Sequence, residues 1–114
     1  MHELSVISYL IDTVEEQARA AGARRVLAIN LVVGERTSFV DDSLLFYFDY
    51  LAPGRLCEGA QLNIRREPMR FWCEACSLTF TPAAGHFRCP NCGAPGRLTD
   101  EGRELLIESV EIET

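Results

Sequence analysis

The sequence contains no lysine, and its eleven basic side chains are all arginines, set against seventeen aspartates and glutamates. The formal net charge is −6, and such a chain is repelled by phosphate backbones, so no nucleic-acid partner is expected. No apolar run approaches the roughly 18 residues that a membrane span needs. Residues 1–22 also lack the cationic start and apolar block of a secretory signal. We therefore expect a cytoplasmic protein with no membrane partner.

Groups for enzymatic catalysis are also scarce. The two histidines are His2 and His86, and neither is paired with Ser5, Ser8 or Ser38 as the base of a nucleophile. Because the chain has no lysine, it has no Gly-x-x-x-x-Gly-Lys loop to hold the phosphates of a nucleotide. The sequence therefore predicts a protein that is not an enzyme and hydrolyses no nucleotide.

The length of 114 residues fits one domain with room for one small module. Apolar spacing of three and four predicts a helix over about 4–21 that ends at Gly22. Its apolar stripe is Leu4, Ile7, Leu10, Ile11, Val14, Ala18 and Ala21. A β-branched apolar run predicts a central strand over 25–34, and alternation predicts further strands over 60–67 and 104–113. On the last strand the expected inward residues are Leu106, Val110 and Ile112.

A second helix is predicted over 44–51, with Asp41, Asp42 or Ser43 as its N-cap and Pro53 after its end. Its aromatic residues are Phe46, Tyr47, Phe48 and Tyr50. We interpret these aromatics as core residues that pack on the sheet rather than as the lining of a ligand pocket. The predicted class is α+β, with two helices packed on a small three-stranded sheet and an inserted zinc-ribbon-like module.

Four of the five cysteines form two Cys-x-x-Cys pairs, Cys73 with Cys76 and Cys89 with Cys92. Two such turns supply four thiolates for one tetrahedral Zn²⁺. Four protein ligands leave no open coordination position, so the spacing predicts a structural zinc site rather than a catalytic one. The alternative is a pair of redox dithiols, but the thioredoxin-like βαβ pattern that this chemistry needs is absent.

The cysteine pairs define a predicted module over 69–97, inserted into a first domain made of 1–68 and 98–114. The spacer 77–88 is expected to form a hairpin whose small core is Leu78, Phe80 and Phe87. Two single residues remain open. Cys57 is interpreted as a small buried residue. His86 is interpreted as an exposed histidine at the hairpin tip, with a role as an exchanging fifth zinc ligand as the alternative.

The chain begins Met1-His2-Glu3. The α-amine, the amide nitrogen of His2 and its imidazole can close adjacent chelate rings on Ni²⁺ or Cu²⁺, and imidazole suits both metals. A further ligand has to come from Glu3 or from an acidic residue in the loop that ends near Asp42. Taken alone the pattern is weak, because an exposed terminus is its ordinary interpretation.

Four segments in order resemble the HypA/HybF family of hydrogenase nickel-incorporation proteins. They are Met-His-Glu-Leu-Ser at 1–5, Val-Gly-Glu-Arg at 33–36, the two Cys-x-x-Cys pairs, and Gly-Arg-Glu-Leu at 102–105. The resemblance covers essentially the whole chain. It implies a nickel-binding α/β domain that carries a zinc domain. It also implies a metallochaperone that delivers Ni²⁺ to the large subunit of [NiFe]-hydrogenase with a HypB-type GTPase.

By this resemblance nickel binding maps onto Met1, His2 and Glu3. An acidic residue after the Gly-Glu-Arg turn also takes part in some members, and here Asp41 is favoured over Asp42. The resemblance assigns zinc to Cys73, Cys76, Cys89 and Cys92.

The resemblance leaves other properties open. No histidine directly flanks either cysteine pair, so an exchange of Cys for His at zinc, proposed for some members, is not expected here except through His86. Monomers, homodimers and exchange of the zinc module between chains all remain open, as does the supply of nickel to urease. The alternative function is a zinc-ribbon adaptor that binds proteins and handles no nickel.

Overall fold

The computed structural model describes residues 3–83 and 85–114, so Met1 and His2 lie outside the described residues. The helices are α1 (Glu3–Ala20) and α2 (Asp41–Leu51). The strands are β1 (Arg25–Gly34), β2 (Gln61–Glu67), β3 (Phe71–Cys73), β4 (Leu78–Phe80), β5 (Arg97–Leu98) and β6 (Leu105–Glu113). One three-stranded sheet has the order β2-β1-β6, and a second has the order β4-β3-β5. The predicted α+β class is confirmed.

The chain forms two compact units. The first unit is built from the chain up to Val32 together with Ser38–Arg65 and Leu106–Thr114. The second unit is built from Val33–Thr37 and Arg66–Leu105. Within the described residues, no helix is long and apolar enough to cross a bilayer.

Helix α1 supplies the centre of the first unit's core and packs against α2. Its buried apolar residues are Ile7, Leu10, Ile11, Val14 and Ala18, as predicted. The predicted stripe is wrong at its two ends, because Leu4 is 45% exposed and Ala21, which follows the helix, is also exposed. Gly22 ends the helix with φ +75°, and the N–H of Ala23 donates to the carbonyl of Ala18. A left-handed residue at this position satisfies carbonyls that the last turn leaves free, and glycine adopts it without strain.

Glu15 of α1 is 1% exposed, although the apolar pattern places it outside the buried stripe. Arg55 donates from Nε at 2.9 Å and from Nη2 at 2.6 Å to its Oε1, and the N–H of Leu56 donates to its Oε2. Arg55 also donates to Asp12, and these bonds, with Asp12 first, raise the pKa of the guanidinium. A buried carboxylate is tolerated only when it is paired and hydrogen-bonded. Arg55 and Leu56, in the segment between α2 and β2, supply the ion pair and hydrogen bonds that allow Glu15 to be buried.

Strand β1 is buried along most of its length, as expected for the central strand of its sheet. The expectation for β6 is wrong at one residue, because Leu106 is 46% exposed and Ile107 lies inward instead. Glu108 and Ser109 are both exposed, so the alternation shifts by one residue before Val110. A simple period of two cannot show such a shift in the exposed face.

Helix α2 begins at Asp41, three residues earlier than predicted, and its N-cap is Val40 in an extended conformation. The expectation that Asp41, Asp42 or Ser43 caps the helix is therefore wrong, and Val40 makes no side-chain cap bond. Both aspartates instead lie in the first turn, where negative charge complements the helix dipole.

The interpretation of the α2 aromatics as core residues is confirmed only for Phe48, which is 2% exposed. Phe46 and Tyr50 are 65% and 71% exposed. Leu44 and Phe48 are four residues apart and define the buried face. The other aromatics fall on other faces of the same helix.

The Val-Gly-Glu-Arg and Gly-Arg-Glu-Leu segments meet within the second unit. Gly34 donates its N–H to the carbonyl of Glu104 at 2.6 Å, and the backbone N–H of Arg36 donates to the carbonyl of Gly102 at 2.7 Å. A Cβ added to Gly34 would lie 2.0 Å from the carbonyl oxygen of Gly102. Only glycine therefore allows these two backbones to approach as they do.

We predict that Gly34→Ala lowers the free energy of unfolding by about 3 kcal/mol, because backbone has to move away from the new methyl group. Urea denaturation of the two proteins measures the loss. Gly59→Ala is the control for backbone strain without a clash, since Gly59 has φ +77°, unlike Gly34, and nothing lies within 4 Å of its added Cβ. It should cost only about 1 kcal/mol. Equal losses in the two variants would contradict the proposed clash.

Candidate metal centre

The first cysteine pair lies at the turn of a β-hairpin. Strands β3 and β4 are antiparallel, with Phe71 opposite Phe80 and Cys73 opposite Leu78, and β5 pairs with the other edge of β3. The sequence predicted the hairpin within the spacer 77–88, but the structure places it earlier in the chain. It is formed by β3 and β4, which pair around the first cysteine pair. The spacer itself contains a short bridge between Ala83 and His86.

A small aromatic core lies beside the cysteines. The ring of Phe71 stacks on that of Phe80, with ring centroids 5.9 Å apart. Phe71 also contacts Phe87, and those ring centroids are 5.2 Å apart. Phe80 is buried with Cys73 and Cys89, and Leu78 packs against this cluster. The predicted core is therefore confirmed for Leu78 and Phe80, while Phe87 remains 50% exposed.

The second cysteine pair is shaped by backbone bonds. The N–H of Cys89 donates to the carbonyl of Ala94, and the N–H of Gly93 donates back to the carbonyl of Cys89, both at 2.8 Å. Gly93 has φ +78°, a left-handed conformation that suits glycine directly after Cys92. The Arg88 guanidinium donates to the carbonyl of Gly93 at 3.1 Å and so stabilises the same turn.

The four sulfurs converge on one point. All four Sγ atoms lie within 4.8 Å of one another. The distance from Cys73 Sγ to Cys92 Sγ is 3.5 Å, and that from Cys76 Sγ to Cys89 Sγ is 3.9 Å. Four sulfurs at about 2.3 Å from one tetrahedral Zn²⁺ would be about 3.8 Å apart. The sulfur arrangement therefore fits a single tetrahedral thiolate-bound ion.

Asn91 is a functional residue that the sequence analysis missed. Its backbone N–H donates to Cys89 Sγ at 3.4 Å, and its side-chain amide donates to Cys76 Sγ at 3.3 Å. Donors of this kind orient and stabilise metal-binding thiolates. The available signal was its position inside the second Cys-x-x-Cys turn.

The pKa values of two thiols in this cluster shift in opposite directions, that of Cys89 downward and that of Cys73 upward. The backbone N–H of Cys92, and secondarily that of Asn91, lower the pKa of Cys89 to about 7 despite burial. At Cys73 the N–H of Cys76 acts to lower the pKa, but burial and neighbouring thiols outweigh it and raise the value overall. Metal binding to this site therefore releases protons and strengthens as the pH rises.

The other sequence-predicted residues lie elsewhere. Among residues 3–83 and 85–114, the four cysteines are the only group of three or more Cys, His, Asp or Glu placed to share a metal ion. Cys57 is fully buried, as interpreted, and burial followed by the charge of Glu15 raises its pKa. His86 is exposed and stands outside the four-sulfur cluster.

The predicted nickel ligands can be placed only in part. Glu3 is the first residue of α1 and Asp41 is the first residue of α2, and both are half-buried. Met1 and His2 fall outside the described residues, so the arrangement of the four predicted ligands stays a prediction.

The fold and the sulfur cluster define an α+β protein with a four-cysteine metal centre in a small β-unit. A family model described as "Hydrogenase/urease nickel incorporation, metallochaperone, hypA" matches residues 1–112. The chain therefore belongs to the HypA family, whose members are metallochaperones and not enzymes.

Individual relatives agree along the whole chain. A hydrogenase maturation factor HypA from Roseiflexus sp. (strain RS-1) is 40% identical over 99% of this chain and 93% of its own length. A hydrogenase maturation factor HypA from Caldanaerobacter subterraneus subsp. tengcongensis is 39% identical over 99% of this chain and 100% of its own length. The solution structure of the Ni metallochaperone HypA from Helicobacter pylori is 30% identical, with a TM-score of 0.67 over 100% of this chain and 99% of that one.

Proposed function

We propose that this chain carries Ni²⁺ for the maturation of [NiFe]-hydrogenase, binding it through Met1, His2 and Glu3, with Asp41 as a further ligand. The observation that carries the proposal is the match of residues 1–112 to a nickel-incorporation metallochaperone family, with Met-His-Glu at residues 1–3. The Helicobacter pylori relative, described as a Ni metallochaperone, supports the same metal.

The placement of two proposed ligands suits a carrier that must release its cargo. Glu3 and Asp41 each open a helix, where the N-terminal end carries a partial positive charge. That charge disfavours a cation, while the two carboxylates offset it. A site balanced in this way, with His2 able to gain a proton, binds Ni²⁺ reversibly.

We also propose a structural role for Zn²⁺ at Cys73, Cys76, Cys89 and Cys92. The strands around the site contain only three, three and two residues, which is too little sheet to be stable without other support. Structural zinc contributes on the order of 10–16 kcal/mol in peptides of this kind. The division into a zinc module over 69–97 and a nickel domain over 1–68 and 98–114 belongs to this proposal.

The partners follow from the same assignment. We propose two protein partners. One is a HypB-type GTPase, which performs the GTP hydrolysis for which this chain has no residues. The other is the large subunit of [NiFe]-hydrogenase, which receives the nickel. The encounter takes place in the cytoplasm, without nucleic acid. A homodimer is the oligomeric state to be tested first.

Metal analysis of the untagged protein tests the assignment. We expect one Zn²⁺ per chain after purification and one further Ni²⁺ bound in a titration that leaves the zinc in place. Zinc without any saturable nickel site would favour the adaptor function instead. A reversible dithiol–disulfide couple that persists after zinc removal would favour redox chemistry.

A further inference from the structure

A cavity of about 490 Å³ in the first unit is lined by four arginines. They are Arg19, Arg24, Arg25 and Arg55, and the lining is completed by Gly54, Leu56 and Glu58. The arginines come from three separate segments: the end of α1, the start of β1 and the loop after α2. Four of the eleven cations of a chain with net charge −6 thus face one space.

One arginine of this cavity, Arg55, is held in place by carboxylates. Arg55 is fixed by its bonds to buried Glu15 and to Asp12, yet 35% of its side chain stays exposed. The N–H of Leu56 occupies the second carboxylate oxygen of Glu15. A guanidinium that is already ordered loses little further entropy when it binds a ligand.

Two of the lining arginines, Arg19 and Arg24, are paired less completely than Arg55. Arg19 reaches Glu15 only at 3.6 Å, and that carboxylate already serves Arg55. Within the part of the chain that the structure describes, the Arg24 side chain makes no hydrogen bond or ion pair.

Two further carboxylates act on these arginines, one as a partner of Arg25 and one within the lining. Glu113 contacts Arg25 at 3.4 Å, and Glu58 lines the cavity while accepting a bond from the N–H of Gly54. Arg55 is paired with Glu15 and Asp12, and Arg25 is paired with Glu113. Arg24 therefore offers a guanidinium with no ion pair among the described residues, and Arg19 offers one that shares its partner Glu15 with Arg55.

We infer that the arginine cavity binds the carboxylates of an acidic protein segment. Arginine matches carboxylates with two parallel hydrogen bonds. The volume lies within the range of sites for ligands much larger than a single oxyanion, so it accommodates several side chains. The Glu58 carboxylate opposes the dense charge of a phosphate more than it opposes spaced carboxylates. This function is independent of nickel carriage.

Titration of the ¹⁵N-labelled protein with a hexaglutamate peptide tests the inference. We expect saturable shifts of the amides of Arg24, Arg25 and Leu56, and about tenfold weaker binding by the Arg24→Gln variant. Arg97→Gln is the matched control, since Arg97 is exposed in the second unit and its side chain also makes no hydrogen bond or ion pair among the described residues. It should bind the peptide as the parent does.

Three outcomes would overturn the inference. One is the absence of saturable shifts at the cavity. Another is an equal loss in the Arg24 and Arg97 variants, which would mean general attraction. The last is tighter binding of inorganic phosphate than of the peptide. A parallel nickel titration of Arg24→Gln should match the parent, which separates this result from any failure of the nickel proposal.

Discussion

A His2→Ala variant is expected to lose nickel affinity by at least about 100-fold, or about 2.8 kcal/mol, while its zinc content and helical signal stay unchanged. The change removes the imidazole and with it one of the chelate rings at the amino terminus. Isothermal titration with Ni²⁺, followed by metal analysis of the same sample, measures both metals.

Two further variants make this result specific to the amino terminus. One added residue before Met1 converts the α-amine into an amide, so it should weaken nickel binding as His2→Ala does. His86→Ala is the matched control, because it removes the other histidine of the chain, which is exposed. If nickel binds the extended protein and the His2 variant as tightly as the parent, the proposed ligand set is wrong.

The second large effect concerns Cys73→Ser, which is expected to abolish zinc binding and to unfold residues 69–97. Cys73 is fully buried, lies in the small core with Phe80 and Cys89, and its sulfur is 3.5 Å from that of Cys92. Its loss breaks the four-thiolate set and leaves strands too short to persist. Zinc analysis and loss of protection of the 69–97 amides in hydrogen exchange measure the effect.

Helices α1 and α2 should retain their far-ultraviolet circular dichroism in this variant, since their core residues belong to the first unit. Cys57→Ala is the matched control, because it removes a fully buried cysteine outside the sulfur cluster and should keep one Zn²⁺ per chain. Helical signal that falls in step with zinc loss would contradict the independence of the two units.

Local patterns predicted much of the architecture because the relevant physics is local. The bounds of β1 and the end of α1 at Gly22 follow from side-chain period and from the backbone freedom of glycine. The two Cys-x-x-Cys turns predicted the sulfur cluster for the same reason, since each turn places its own pair of sulfurs.

Other features depended on partners far along the chain. Burial of Glu15 requires Arg55 and Leu56, which lie about forty residues away. The face of α2 that is buried was decided by packing against α1, so Phe48 is enclosed and Phe46 is not. The support that Asn91 gives to Cys76 likewise exists only once the two cysteine turns have come together.

The sequence by itself determined the family, the four-cysteine cluster and the middle of the apolar stripe of α1, because spacing and periodicity are properties of neighbouring residues. Only the tertiary structure decided that Gly34 has to be glycine, since the Gly102 carbonyl occupies the space of its side chain. It also gathered four arginines from three segments around one cavity in an acidic chain. The physical reason is the same in both cases, because close approach and shared charge arise between residues that the chain brings together only by folding.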